Sequence, residues 1–409
     1  MIVRSIVSAS ANKDHSRRAV THAMESVLSS LERPLSSIVK RSDRILVKVN
    51  MGCSGARTPG QRLTTHPILL EAIVNALLDC GGNVYFGDDI SRSARSYESI
   101  YERTGMRDVA RRTGAMLVDF VRAGGREVRG GLLIPRSYFV TNAYFEADVV
   151  INAASCRSHA GIGMSGAIKN MFGCVLGLRK QLIHNLFPGQ PSKFGRVIAD
   201  IYRVIPADLS ILDLTTVAEG AGKTLAVRPV GLILAGTDAV ALDTVAAHAI
   251  GYHSLPIWPT YYGSRFGYGC DAIDQIEVRG IDWDSFNKMR LDYPLITHTQ
   301  RPSAYDRLGA VINNTVLRPR PAILAEVCTG CGQCLDRCPA DCIEGEKDSP
   351  HHIRLGQCSD CGVCLKVCEP GAVERKFMGS GRAIRWLLNR LPDQVDPKEE
   401  SSMDPAPKF

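Results

Sequence analysis

Eight cysteines near the C-terminus fall into two matching runs. The first is Cys328-x-x-Cys331-x-x-Cys334-x-x-x-Cys338-Pro339, and the second is Cys358-x-x-Cys361-x-x-Cys364-x-x-x-Cys368-Glu369-Pro370. Thiolates at this spacing hold iron–sulfur clusters, three from one tight loop and the fourth from the other run. The spacing therefore predicts two [4Fe–4S] clusters. One takes Cys328, Cys331, Cys334 and Cys368, and the other takes Cys358, Cys361, Cys364 and Cys338. Zinc is the main rival, but a zinc site needs four ligands, usually as two C-x-x-C pairs. Here each run holds four cysteines by itself. Disulfides need an oxidising compartment, to which the sequence shows no route. Cys342 lies outside the spacing and reads as a small apolar filler. Clusters of this kind pass electrons singly at low potential.

A second group of chemically capable residues lies in the first 290 positions. Arg157, Ser158 and His159 follow a β-rich run at 147–151, and Gly161-x-Gly163-x-x-Gly166 precedes Lys169 and Asn170. In an open α/β sheet, residues just past a strand's carboxyl end line the ligand crevice. Glycines there let backbone amides approach an anion, and a helix N-terminus favours negative charge. Arg157 and Lys169 would add positive charge, and His159 a proton donor. Lys48 and Asn50 end another strand and would face the same crevice. Asp88-Asp89 and Asp213 end two more, as acids for hydroxyls, a metal or a basic partner. Asp238 reads as a helix cap, and Asp243 as a residue inside that helix. Cys53, Cys156 and Cys174 lie near these loops without ligand spacing, so they read as buried thiols before a third metal centre. Gly220-Ala-Gly-Lys223-Thr224 resembles the end of a phosphate-binding loop. Val217 stands where that loop needs glycine, and a strand follows where it needs a helix.

The elements that position these residues alternate. Strands are expected at 44–50, 83–87, 147–151, 209–213 and 230–234, with the N-terminus as a first strand. A helix opens at Thr64-Thr65-His66-Pro67 with a hydroxyl cap and proline in its first turn, and stops at Gly81-Gly82. Other helices are expected at about 165–183, 192–205 and 238–250. The fold class that follows is α/β, a mostly parallel sheet with helices on both faces, plus a small ferredoxin-like two-cluster domain. The body spans 1–294, a linker 295–321, the cluster domain 322–373, a basic amphipathic helix 374–391 and a disordered tail 392–409.

Composition bounds the rest. Charged residues are 22% and hydrophobic residues 45%, values of a soluble globular protein. No apolar run is long enough to span a bilayer. The N-terminus lacks a signal peptide's apolar stretch, so a cytoplasmic location is expected. The net charge is +7, yet residues 322–373 hold eight acids and four bases, so the positive excess belongs to the body. A basic body suits an anionic substrate or an acidic electron donor. Nucleic acid fits less well, because no basic stripe carries interleaved aromatics.

The loops of residues 40–255 resemble the domain-of-unknown-function 362 family. The matching stretches are Val47-Lys48-Val49-Asn50, His66-Pro67, Gly87-Asp88, Arg157-Ser158-His159, and Gly166-Ala-Ile-Lys169-Asn170-Met-Phe-Gly173. Asp213, Glu219-Gly220 and Asp238-Ala-Val-Ala-Leu-Asp243 complete the likeness. The family usually shows Lys where this chain has Arg157 and Pro where it has Val49. Many members carry the same two-cluster unit, so the resemblance implies an iron–sulfur redox protein and supplies no substrate. The combined expectation is a reductase. A ferredoxin or flavodoxin loads the clusters, which pass electrons to a small, anionic acceptor in the crevice. His159, Lys169 and Lys48 are the expected catalytic residues, and Arg157, Asn50, Asn170, Asp213 and Asp88 the expected binding residues. The alternative is an electron-transfer adaptor that docks a partner enzyme.

Overall fold

The computed structural model describes residues 5–51, 64–89, 97–132, 135–159, 162–176, 180, 183, 187, 190–221, 224–252, 256–286, 288, 291, 320–338, 342–355, 358 and 363–376. Cys53, Gly161, Lys223 and Cys361 lie outside these residues. So do most of the expected linker, all but the start of the expected basic helix, and the tail.

The body is a mixed α/β fold on a nine-stranded, mostly parallel sheet. Its first strands are β1 (Ser5–Ala11), β2 (Arg44–Lys48), β3 (Asn83–Asp88) and β4 (Met116–Asp119). A separate hairpin of β5 (Gly125–Arg129) and β6 (Ser137–Thr141) follows. The sheet continues with β7 (Val149–His159), β8 (Gly163–Ser165), β9 (Leu209–Ala221), β10 (Thr224–Gly236) and β11 (Ile276–Arg279). The spatial order is β11-β1-β10-β9-β7-β2-β3-β4, with β8 added to the far end of β7. The pairs β1/β11, β7/β9, β2/β7, β2/β3 and β3/β4 are parallel, and β1/β10, β9/β10 and β7/β8 are antiparallel.

Central strands read as unbroken apolar runs because both faces are covered. In β2, Ile45, Leu46 and Val47 are fully buried. The helices fall into two packed groups against the sheet. One contains Arg17–Ser29, Pro67–Asp79 and Met106–Thr113, and the other Ala167–Asn170, Pro191–Val204, Ala239–Ala249 and Trp258–Arg265. Ala239–Ala249 is mostly apolar and buried along nearly its whole length, as a helix enclosed by neighbours must be. Asp238 caps it through Ala241 N–H, as expected. The cap of Pro67–Asp79 differs from expectation: His66, not a hydroxyl, accepts the Ile68 N–H through Nδ1.

Two strands run further than their apolar cores suggest. The strand expected at 147–151 continues to His159, so Arg157, Ser158 and His159 lie in the strand and not in a loop after it. β8 pairs back on them, Arg157 to Ser165 and His159 to Gly163. The strand expected at 209–213 continues to Ala221, which puts Asp213 mid-strand. β9 and β10 form one long hairpin, with Thr224 opposite Ala221 where the phosphate-loop likeness fell, and residues 222–223 of that likeness lie outside the described residues. An antiparallel strand from Thr224 onward provides no helix N-terminus for a phosphate. Among the described residues, the helix expected at 165–183 is interrupted: Ala167–Asn170 is helical, a 3-10 turn follows at Met171–Cys174, and Lys180 and Ile183 are helical again.

The C-terminal segment forms two short antiparallel ribbons. β12 (Arg320–Ile323) pairs with β15 (Val373–Lys376), and β13 (Ile343–Glu344) pairs with β14 (His352–Ile353). Two short helices, Gln333–Asp336 and Val363–Val367, each carry the third cysteine of one run.

Candidate functional site

Register places Lys48 of β2 beside Gly87 of β3 and Asn152 of β7. The Lys48 side chain is 1% exposed and its Nζ lies 2.9 Å from Asp88 Oδ1. It also donates to Val49 O at 2.6 Å. Asp88 accepts the Met51 N–H at 2.8 Å and its neighbour's N–H at 2.9 Å. A buried pair needs such extra hydrogen bonds to offset desolvation. Lys180 repeats the pattern one residue on, donating to Asp89 O at 2.8 Å with its carboxylate at 3.3 Å. Asn170 ties the next layer in: its Nδ2 donates to Asn152 Oδ1 at 2.8 Å and Lys48 O at 3.2 Å. Asn152 Nδ2 in turn donates to Ala167 O and Ser210 Oγ. Gly173 completes the segment by close approach, since a Cβ there would meet Lys48 Nζ and Asp88 Oδ1 at 2.3 Å. The Lys169-Asn170-x-x-Gly173 stretch thus clamps the ends of β2 and β3 to the first half of β7. Lys48, Asp88 and Asn170 are brought together where β2 and β3 end.

Gly166 has the same kind of cause. A Cβ on it would meet Asp243 Oδ1 at 2.1 Å, and Asp243 accepts the Ala167 and Ile168 N–H groups at 2.6 and 3.1 Å. Burial drives the Asp243 carboxyl up to about 7, against those two N–H groups, which lower it. A carboxyl raised in the folded state binds its proton more tightly there than in the unfolded chain. Its contribution is complete below the ordinary value of 3.8 and is lost as pH rises through about 7. Compared with Asp243→Asn, the wild-type protein is expected to lose stability between pH 5 and 7 by up to about 1 kcal/mol per unit. Urea unfolding of both proteins across that range measures the difference, and parallel pH curves would refute it.

A second centre lies three residues further along the sheet, where Asp213 of β9 is in register with Ser155 of β7. His15, in the loop after β1, has Nε2 2.7 Å from Asp213 Oδ2, and the two side chains are 17% and 6% exposed. Asp213 Oδ1 accepts the Thr215 N–H at 2.8 Å, and Asn12 Nδ2 donates to Thr215 Oγ1 at 2.7 Å. Burial raises the Asp213 carboxyl, but hydrogen bonds from His15 and Thr215 outweigh it and hold the group below its usual range. His66 stacks on His15, centroids 4.0 Å apart and planes at 16°. Burial, then the charge of His15, brings His66 down to about 4. The stretch before His66 is pinned to β7, because Thr65 Oγ1 donates to Ala153 O and Ser155 Oγ to Thr64 O. Thr65 Oγ1 also accepts the Asn50 N–H at 2.8 Å. His15 escaped the sequence reading. The rule that flagged residues past other strand ends applies equally to the loop after β1.

Arg157, His159, Lys169 and Asn50 are half-buried and each holds polar or ring contacts. Cys156 and Cys174 are buried, with thiols raised foremost by burial, Cys174 to about 12. Such thiols are poor nucleophiles. Among the described residues, no group of three or more His, Cys, Asp or Glu is arranged to hold a metal ion.

Burial, then the charges of Cys328, Cys368 and Cys331, pushes the Cys334 thiol up to about 11. Cys368, from the second run, is thus among the cysteines close enough to Cys334 to bear on it. Cys338 Sγ is 3.4 Å from Cys342 Sγ, and Cys342 also interacts with Cys358. Three sulfurs accept backbone N–H groups: Cys328 from His351 at 3.5 Å, Cys338 from Cys342 at 3.4 Å and Cys368 from Ala372 at 3.2 Å. Backbone donors aimed at thiolates are among the groups that tune iron–sulfur clusters, so the donor set fits such a group.

The profile of the family described as Domain of unknown function (DUF362) matches residues 45–248. A curated relative, the thylakoid-associated protein sll1697 of Synechocystis sp. (strain ATCC 27184 / PCC 6803 / Kazusa), is 32% identical over 212 residues. That match covers 52% of this chain and 64% of the relative, less than two thirds of the relative's own length. Among solved structures, the lactate racemase apoprotein from Thermoanaerobacterium thermosaccharolyticum matches with a TM-score of 0.39 and 12% identity. It covers 59% of this chain and 56% of that one. Among the described residues no helix is long and apolar enough to cross a membrane.

Proposed function

We propose that this chain is an iron–sulfur oxidoreductase that delivers single electrons from a low-potential donor to a small anionic acceptor in the crevice of its α/β body. The observation that carries the reading is the crossed cysteine neighbourhood, Cys368 beside the first run and Cys358 near Cys338, with backbone N–H groups turned to the sulfurs. Cys328, Cys331, Cys334 and Cys368 would hold one [4Fe–4S] cluster, and Cys358, Cys361, Cys364 and Cys338 the other. When bound, the clusters supply low-potential electron transfer. The chain's own residues do the rest. Glycines at 330 and 332, with φ of +68° and +79°, let the first cysteine loop curl tightly. Cys342 fills the space beside Cys338 as a buried apolar group. Arg157, His159, Lys169 and Asn50 would meet the acceptor's anionic part, while the Lys48–Asp88 pair holds the strand ends that present them. Ferredoxin or flavodoxin fits as donor, and a reducing, cytoplasmic compartment suits the thiolates.

Anaerobically purified protein is expected to contain about eight irons and eight sulfides per chain. Dithionite reduction should give interacting [4Fe–4S]⁺ EPR signals. Zinc in place of iron would overturn the reading. Reoxidation by an added protein alone, and by no small molecule, would favour an electron-transfer adaptor over a reductase.

A further inference from the structure

We propose that His15 and His66 form a proton-transfer pair acting on a small 2-oxo carboxylate, His15 taking a proton from the carbon beside the carbonyl while His66 holds the carbonyl oxygen. This rests on the crevice reading above and is independent of the clusters.

Three separate segments converge to build the pair: the loop after β1, the start of the helix after β2, and the middle of β9. The parallel strands β7 and β2 meet beside it, with β9 leading away on one side and β3 on the other. Ligands of open α/β sheets bind at such a reversal. Asp213, nearly enclosed, accepts from His15 Nε2 and therefore fixes the His15 proton on that nitrogen. Its Nδ1 is left with a lone pair, the requirement for a base. His66 has the opposite constraint. Its Nδ1 accepts the Ile68 N–H at 3.2 Å, so the proton of the neutral ring sits on Nε2. Burial, the first cause of the lowered proton affinity of His66 and one that does not depend on a charge on His15, keeps the ring neutral near pH 7. A neutral imidazole beside a base is the arrangement that polarises a carbonyl without protonating the base's partner. The stacked rings, 4.0 Å apart, bring base and donor to one place. The positive excess of the body favours the carboxylate.

The step balances without any co-reactant. The C–H bond breaks and its proton passes to His15 Nδ1. The bonding pair forms the enolate, whose oxygen accepts from His66 Nε2–H. Reversal from an exchanged imidazolium returns a deuteron in D₂O. Asp213 is a positioning residue in this scheme.

The test is deuterium exchange at C3 of pyruvate, 2-oxobutyrate and 2-oxoglutarate, followed by ¹H NMR with the full-length protein. Exchange well above the buffer rate is expected with at least one of them. His15→Gln keeps a donor for Asp213 but has no base at the Nδ1 position, and should slow exchange at least about 100-fold. His66→Asn keeps the helix cap but loses the Nε2 donor, and should slow it about 100-fold. Both variants should melt near wild type. Nitrogen-15 NMR of the imidazoles gives a readout that needs no substrate: His66 should be neutral with its proton on Nε2 at pH 7. No exchange with any of the three acids, undiminished exchange in His15→Gln, or a charged or Nδ1-protonated His66 would each overturn the assignment. Because exchange needs no electrons, protein that emerges from anaerobic purification without iron yet still exchanges refutes the cluster reading alone. Iron-replete protein that does not exchange refutes this assignment alone.

Discussion

Lys48→Ala is expected to cost about 3–5 kcal/mol, the range for stripping one partner from a buried ion pair. That is a large part of the roughly 5–15 kcal/mol a domain of ordinary stability holds. The loss follows from enclosure. The side chains of Lys48 and Asp88 are 1% and 4% exposed, so water cannot replace the missing ammonium. Met51 N–H and its neighbour at 89 still reach the Asp88 carboxylate, but they were already bonded and add nothing new. The lysine stem also packs where Gly173 approaches, so alanine leaves a void as well as a charge. The two causes separate in a pair of variants. Lys48→Met refills the void and leaves the charge, so it should remain strongly destabilised. Combining Lys48→Met with Asp88→Asn removes the charge while keeping an acceptor for the backbone, and should recover most of the loss. Urea denaturation followed by circular dichroism reads all three. Lys48→Ala within about 1 kcal/mol of wild type would show that the pair does not hold the strand ends together.

The same pair shows why the sequence was legible in some places and not in others. Apolar runs such as Ile45-Leu46-Val47 and helix signals such as His66-Pro67 are local, and the elements appear where they point. The outer halves of β7 and β9 lie beyond the continuous apolar cores of those strands, and β8 and β10 pair with them. No local propensity announces that pairing, so Arg157, His159 and Asp213 were expected at strand ends when they lie within strands. The glycine at 173 was visible as part of a pattern. Its cause, the approach of Lys48 and Asp88, comes from distant segments. His15 and Asp213 are 198 residues apart, so a histidine in a short loop carried no sign of its carboxylate. The cysteine runs are the opposite case, because three of every four proposed cluster ligands sit within a few residues of one another.

The crossed fourth ligand is the part of that chemistry that a local reading alone does not settle, and iron counts can settle it. Single replacement of Cys368 by alanine should reduce iron from about eight to about four per chain, since one [4Fe–4S] cluster loses a ligand. Cys358→Ala should do the same to the other cluster. Pairs of replacements then report which cysteines act together, because changes within one unit do not add while changes in separate units do. Cys328→Ala with Cys368→Ala should hold about four irons, no fewer than either alone, although the two residues lie in different runs. Cys358→Ala with Cys368→Ala should hold almost none, although both lie in the same run. The structural reason is the position of Cys368, which bears on Cys334 along with Cys328 and Cys331. The short β12–β15 ribbon brings the second run's end back toward the start of the first: Ile323 pairs with Val373, and Leu324 N–H donates to Ala372 O. Ala372 N–H in turn reaches Cys368 Sγ at 3.2 Å. If the pairing were uncrossed, the two double variants would exchange outcomes. Cys328→Ala with Cys368→Ala would then be the one that empties the protein, and the ribbon would have no part in closing either cluster.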